Sequence, residues 1–203
     1  EKWEKENLSA TLELIFYEIE KARKERYDMV VLPESVFPFY MNKAPLVSDR
    51  LKKISYEIAI VAGSLLKEDG KHYNVTYIFN NGKYIIAKKL VLVPFGEYIP
   101  LPAFARKFIN DTFFAGASDF KTGKKATDFS VKGVKFRNAV CYEATCQEIY
   151  EGDVKYVVAI SNNAWFTPSI EPTLQRLLMR YYAKKNSVVI YHSANYKGSG
   201  VIK

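Results

Sequence analysis

Apolar positions fall into two rhythms along this chain. Leu8, Leu12, Ile15, Ile19 and Ala22 recur every three or four residues with charges between them. That spacing predicts an amphipathic helix over residues 7–26, with Asn7 as its cap. Met29-Val30-Val31-Leu32 is instead a continuous apolar run ended by Pro33, which predicts a strand covered on both faces, as in a parallel or mixed sheet. A helix is predicted over 45–56 and a second buried strand over 58–62. Residues 73–79 and 84–87 flank Asn80-Asn81-Gly82-Lys83, a hairpin signal. Residues 98–126 read as irregular, with a short helix near 103–109. A second hairpin is predicted from 129–131 and 134–140 around Lys132-Gly133. A buried strand over 156–160, a helix over 171–185 and a strand over 188–191 complete the pattern.

Helices and buried strands therefore alternate from end to end, with hairpins inserted and no repeat, low-complexity stretch or linker. One α/β domain spanning residues 1–203, a layered sandwich, is the simplest architecture. The length of 203 residues suffices for one sizeable core. At 48% hydrophobic and 26% charged residues the chain is not a disordered one. No run approaches the roughly 18 apolar residues of a membrane-spanning helix. The chain starts at Glu1 and stops inside a predicted strand at Ile202-Lys203, as expected of a processed or partial chain, incomplete at both ends. The net charge of +8 favours anionic partners, either nucleic acid or an anionic lipid surface. Two cysteines cannot make a disulfide framework, and two histidines cannot make a His-based metal cluster without help.

Three polar residues stand at the ends of buried strands. Glu34 follows Val30-Val31-Leu32-Pro33, Lys89 follows 84–87, and Cys141 follows 136–140 and precedes Tyr142-Glu143. Sites assemble at C-terminal strand ends in α/β sheets. Brought together, the three make chemical sense. A thiolate is a nucleophile whose pKa an ammonium lowers, a carboxylate can shuttle its proton, and the ammonium can hold an oxyanion. Cys-His chemistry is less favoured. His72 lies in an exposed-looking Gly70-Lys71-His72 turn and His192 on a strand end, neither with an evident orienting partner. Each residue alone also has an ordinary structural reading: a small buried hydrophobe for the cysteine, a cap for the glutamate, a solvated charge for the lysine. Spacing by itself does not join them.

Local sequence does. Leu32-Pro33-Glu34-Ser35-Val36-Phe37-Pro38 resembles the Glu motif of the nitrilase superfamily, the carbon–nitrogen hydrolases. Lys89-Leu90-Val91-Leu92-Val93-Pro94-Phe95-Gly96-Glu97-Tyr98-Ile99-Pro100 resembles its Lys motif, and Val140-Cys141-Tyr142-Glu143 its Cys motif. The order matches as well. Pro94-Phe95-Gly96-Glu97-Tyr98 and Ser161-Asn162-Asn163-Ala164-Trp165-Phe166 further resemble the periplasmic domain of the bacterial apolipoprotein N-acyltransferase branch. The resemblance runs from Trp3 to Ile202.

It implies a nitrilase-like αββα sandwich preceded by a membrane bundle. It implies Glu34 as general base, Cys141 as nucleophile and Lys89 as oxyanion stabiliser, with Glu97, Tyr142, Glu143 and Trp3 supporting the site. The reaction implied is ping-pong. Cys141 takes an acyl chain from a phospholipid as a thioester, and the N-terminal amine of a diacylglyceryl-modified apolipoprotein then accepts it. No metal or organic cofactor is implied, and no nucleic acid. The implied location is the bacterial inner membrane, with the catalytic domain at the membrane surface on the periplasmic side. Apolar residues in 98–118 are candidates for a lid dipping toward lipid or, equally, for packing on the core. The chain departs from the branch at Asn163 (Asp in the family), Thr167 and Glu171 (both Gly) and across 180–187. Cys146, five residues after Cys141, reads as structural, since a strand-to-helix turn rarely allows such a bridge. The alternative function is a soluble nitrilase-type amidase using the same three residues. A basic nucleic-acid-binding domain is a third reading, and no recognisable motif supports it.

Overall fold

Three tight hairpins frame the structure. It is a computed structural model that describes residues 5–94, 97, 120–166 and 168–203, with side chains from residue 8 onward except those of Trp165 and Phe166. Strands β2 (Ala59–Glu68), β3 (Lys71–Asn80) and β4 (Lys83–Lys88) form an antiparallel meander. Its turns are Asp69-Gly70 and Asn81-Gly82, with positive φ at all four residues. The Lys132-Gly133 turn between β5 (Asp128–Val131) and β6 (Val134–Val140) has the same signature. Two consecutive residues at positive φ match the right-handed twist of paired strands, and glycine adopts that geometry without strain. The two hairpins expected from the sequence are present. The Asp69-Gly70 hairpin was not expected, because the strand predicted over 58–62 continues to Glu68.

β1 (Met29–Val31) joins the meander in parallel with β2, giving a four-stranded sheet ordered β1-β2-β3-β4. The second sheet is ordered β5-β6-β7-β8-β9, with β7 (Tyr156–Asn162), β8 (Val189–Asn195) and β9 (Gly200–Ile202). β6, β7 and β8 run parallel and both edge strands antiparallel. The strand expected over 188–191 thus runs further, and β9 returns along it.

Period-two alternation decides which residues meet. Ile60 and Ala62 face one way, where α1 (Lys5–Lys24) and α2 (Pro45–Ile54) cover them with Ile15, Phe16, Ile19 and Leu51. Ala59 and Val61 face the other way and pack with Ile78 and Ala87 against Val140, Val158 and Ile160 of the second sheet. The outer face of that sheet, with Ala139, Val157, Ala159 and Ile190, is covered by Met179 and Ala183 of α3 (Glu171–Asn186). The layers are helix, sheet, sheet, helix: the αββα sandwich. Each fully buried Ile, Val, Leu or Phe contributes about 1.5–3 kcal/mol, and both sheets bury both faces. Asn7 lies inside α1 rather than capping it. The expected 103–109 helix and the 98–118 lid lie outside the described residues.

Candidate active site

Pro33 ends β1 because it has no N–H for the ladder. The chain leaves the sheet at Glu34, and Ser35 turns it with a left-handed φ of 54°. This turn lies directly on β2 at Gly63. A Cβ there would stand 2.6 Å from both Glu34 Cα and Ser35 N, so only glycine lets the two backbones approach. Gly63 and the buried Ser64, whose hydroxyl donates to the Phe39 carbonyl at 2.7 Å, are the two residues that interrupt the apolar run of β2.

Lys89 follows β4. Its amide donates to the Asn74 carbonyl at 3.0 Å, and its side chain is 1% exposed. Cys141 follows β6 on the other sheet and is 5% exposed, with a φ of 54°. Left-handed backbone at a non-glycine residue costs of order 1 kcal/mol and clusters at functional turns. The structure thus carries Glu34, Lys89 and Cys141 to strand ends at the junction of the two sheets.

The polar contacts are specific. Lys89 Nζ lies 2.7 Å from Glu97 Oε2 and 3.6 Å from Glu34 Oε1. Asn74 Nδ2 donates to Glu34 Oε1 at 2.7 Å and to Glu97 Oε1 at 2.8 Å. Glu34 Oε2 accepts from the Asn162 amide at 2.8 Å. Glu97 therefore takes the short bond to the lysine and leaves Glu34 the longer one. Burial alone depresses the Lys89 ammonium, but Glu34 and Glu97 more than reverse this and raise its pKa, keeping it charged. Burial and then the charge of Glu34 push the Cys141 thiol up to about 12, against the pull of Lys89 and the Asn162 amide. This environment favours the Cys141 thiol over the thiolate.

Glu143 is buried and ties the two strand ends together. Its Oε2 accepts from the Val140 amide at 2.7 Å, while Oε1 accepts from the amides of Leu90 and, at 3.2 Å, Val91. Burial raises its pKa against the pull of these donors. Tyr142 is 43% exposed. Cys146 is a half-buried free thiol whose Sγ donates to the Tyr142 carbonyl at 3.5 Å. Trp3 lies outside the described residues.

Asn74, Asn162 and Gln175 were not singled out in the sequence. Gln175 Nε2 donates to Cys141 Sγ at 3.7 Å. The first two carry a faint signal, an Asn where strands rarely place one. Gln175 heads a buried i, i+4 row with Met179 and Ala183, a polar residue at a core position. Both histidines prove to be partnered. Tyr40 Oη lies 2.5 Å from His72 Nδ1, and His72 sits within β3 rather than in a turn. His192 spends Nδ1 on the Gly198 carbonyl and Nε2 on Ser161 Oγ, both at 2.9 Å. No cluster of three or more His, Cys, Asp or Glu suited to a metal occurs among the described residues.

A family model described as Carbon-nitrogen hydrolase matches residues 2–198. The chain is 47% identical over 202 residues to an apolipoprotein N-acyltransferase of Wolinella succinogenes, covering 99% of this chain and 49% of that protein. It is 36% identical over 190 residues to one of Helicobacter pylori, covering 93% and 44%. The chain spans about half the length of the curated relatives it matches. Among solved structures, XC1258 of Xanthomonas campestris, a CN-hydrolase superfamily protein, superposes with a TM-score of 0.69 at 16% identity, covering 92% of this chain and 69% of that one. An amidase from Nesterenkonia sp. gives 0.66 at 16% identity, covering 96% and 73%. At that identity the likeness is one of fold.

Proposed function

The chain belongs to the carbon–nitrogen hydrolase family, and from that premise we propose that it is the catalytic domain of an apolipoprotein N-acyltransferase. The observation carrying this reading is relatives of that name at up to 47% identity across 99% of the chain. The buried Glu34–Lys89–Cys141 arrangement supports it.

In the first half-reaction Glu34 takes the Cys141 proton as Sγ attacks a phospholipid ester carbonyl. A thiol held up to about 12 needs this base. Lys89 stabilises the oxyanion, a contribution of the kind worth about 10²–10³ in rate. Collapse expels the lysophospholipid alkoxide, which Glu34 protonates, and leaves an acyl thioester on Cys141. In the second, the N-terminal amine of a diacylglyceryl-modified apolipoprotein attacks that thioester. Glu97 and Asn74 hold the charged groups in register, Glu143 holds the Cys141 turn, and the exposed Tyr142 lies on the substrate side. The reading places the domain at the periplasmic surface of a bacterial inner membrane. The excess of basic residues favours an anionic lipid surface. No described helix is itself long and apolar enough to cross a membrane.

The test is intact mass of the full protein after incubation with phospholipid in detergent. A hydroxylamine-labile acyl adduct absent from Cys141→Ala supports the reading. No adduct, with Cys141-dependent ammonia release from a small amide, replaces it with the amidase reading.

A further inference from the structure

Two buried acceptors at the start of α3 have no donor among the described residues. One is Oε1 of Gln175, a side chain 3% exposed whose other amide atom, Nε2, donates to Cys141 Sγ at 3.7 Å. The other is Oε2 of Glu171. Residues four apart lie on one face of a helix, so Glu171 sits one turn before Gln175, on the face of α3 that meets the Cys141 turn. The charge of Glu34 reaches the Glu171 carboxyl. Buried acceptors are almost always paired in native proteins, so two left open on the helix that contacts Cys141 call for an incoming donor.

The chemistry of that donor follows. The ester of a phospholipid offers only acceptors at its reacting carbonyl and can satisfy neither atom. A primary ammonium carries three N–H donors and one positive charge. It meets a region where carboxylates gather, Glu34 and Glu97 on Lys89 and Glu171 within reach of the Glu34 charge. We propose that Glu171 and Gln175 form the subsite that receives the ammonium of the acyl acceptor. This rests on the acyltransfer reading and specifies where its second substrate sits.

The proton balance is closed. The bound ammonium gives one proton to the Glu171 carboxylate and becomes a free amine. Its lone pair attacks the thioester carbonyl, and Glu34 takes a second proton from the nitrogen. The C–S bond breaks, the sulfur recovers that proton from Glu34, and an amide and the Cys141 thiol remain. Glu171 then releases its proton to solvent. Burial and the neighbouring Glu34 charge, which raise the Glu171 pKa, suit it to hold that proton.

The experiment compares two acceptors on the acyl-enzyme of the intact protein, preloaded with phospholipid. One is a diacylglyceryl-cysteine peptide with a free α-amine, cationic in solution. The other is hydroxylamine, uncharged at neutral pH. Thioester decay is followed by mass. In Glu171→Gln the rate ratio of peptide to hydroxylamine falls by about tenfold or more, through a raised KM for the peptide. Glu171→Asp, which keeps the charge, recovers most of the ratio. A Glu171→Gln ratio equal to wild type overturns the subsite, as does a parallel loss with both nucleophiles that Glu171→Asp shares. A wild-type protein that forms no thioester overturns the proposed function, and the subsite with it. A wild-type thioester passed to the peptide alongside an unchanged Glu171→Gln ratio removes the subsite alone.

Discussion

The backbone amide of Asn162 donates to Oε2 of Glu34 at 2.8 Å, joining residues 128 positions apart and crossing from one sheet to the other. Both Glu34 oxygens are committed as acceptors, Oε1 to Asn74 and Oε2 to Asn162. Glu34→Gln replaces one oxygen with an NH₂, which must then face a donor. Acyl-thioester formation should fall by about 10³-fold or more, and thermal stability should drop with it. Stopped-flow acylation and a melting curve check both. A variant that acylates at the wild-type rate would exclude Glu34 as the base.

Glu143 accepts three backbone N–H groups from two chain segments. Glu143→Ala strands all three in the interior, at about 1–3 kcal/mol for each donor left unsatisfied. The expected outcome is a loss of several kcal/mol in urea unfolding. Glu143→Gln, which retains one acceptor oxygen, should lose distinctly less. Equal losses in the two variants would show that the hydrogen bonds are not what Glu143 supplies.

Gly63→Ala is the smallest change with a large expected effect. The added methyl meets the Glu34–Ser35 backbone at 2.6 Å and cannot be relieved by a rotamer change. A cost of about 1–3 kcal/mol follows from overpacking. The displaced Glu34 should also slow acylation. Wild-type unfolding and acylation in Gly63→Ala would mean that the turn is free to move off β2.

His192 supplies a pH signature. Burial holds its imidazole down to about 4, from an ordinary 6.5. Between those values the unfolded chain binds a proton that the folded chain refuses, so stability rises with pH across this window. The contribution is complete above pH 6.5 and lost as pH falls to 4. Its size is at most about 3 kcal/mol. Urea unfolding across that range should show a shallower slope for His192→Gln than for wild type. Parallel slopes would place the His192 proton elsewhere.

The layers were legible in the sequence because apolar spacing reports which faces are covered. The 29–31 run, the Asn81-Gly82 and Lys132-Gly133 turns and the α3 periodicity all appear where expected. β2 was cut short at 62 because Gly63 and Ser64 interrupt its apolar run. They are buried for reasons of close approach and hydrogen bonding that no periodicity reports. The same holds for the site. Glu34, Lys89 and Cys141 announce themselves at strand ends within motifs. Asn74 is visible only once β3 lies beside the Glu34 turn, and Gln175 only once α3 lies over Cys141.

The division of the site between two sheets has a consequence for the life history of the molecule. Glu34, Asn74 and Lys89 belong to the N-terminal sheet, and Cys141 and Asn162 to the C-terminal one, with Ala59, Val61, Ile78 and Ala87 packed against Val140, Val158 and Ile160 between them. Neither sheet alone carries both Glu34 and Cys141. On the proposed acyl-transfer reading, a nascent or partly folded chain therefore cannot carry out the reaction until the sheets dock. The assembled arrangement of Glu34, Lys89 and Cys141 arrives last, as a certificate that the sandwich has closed.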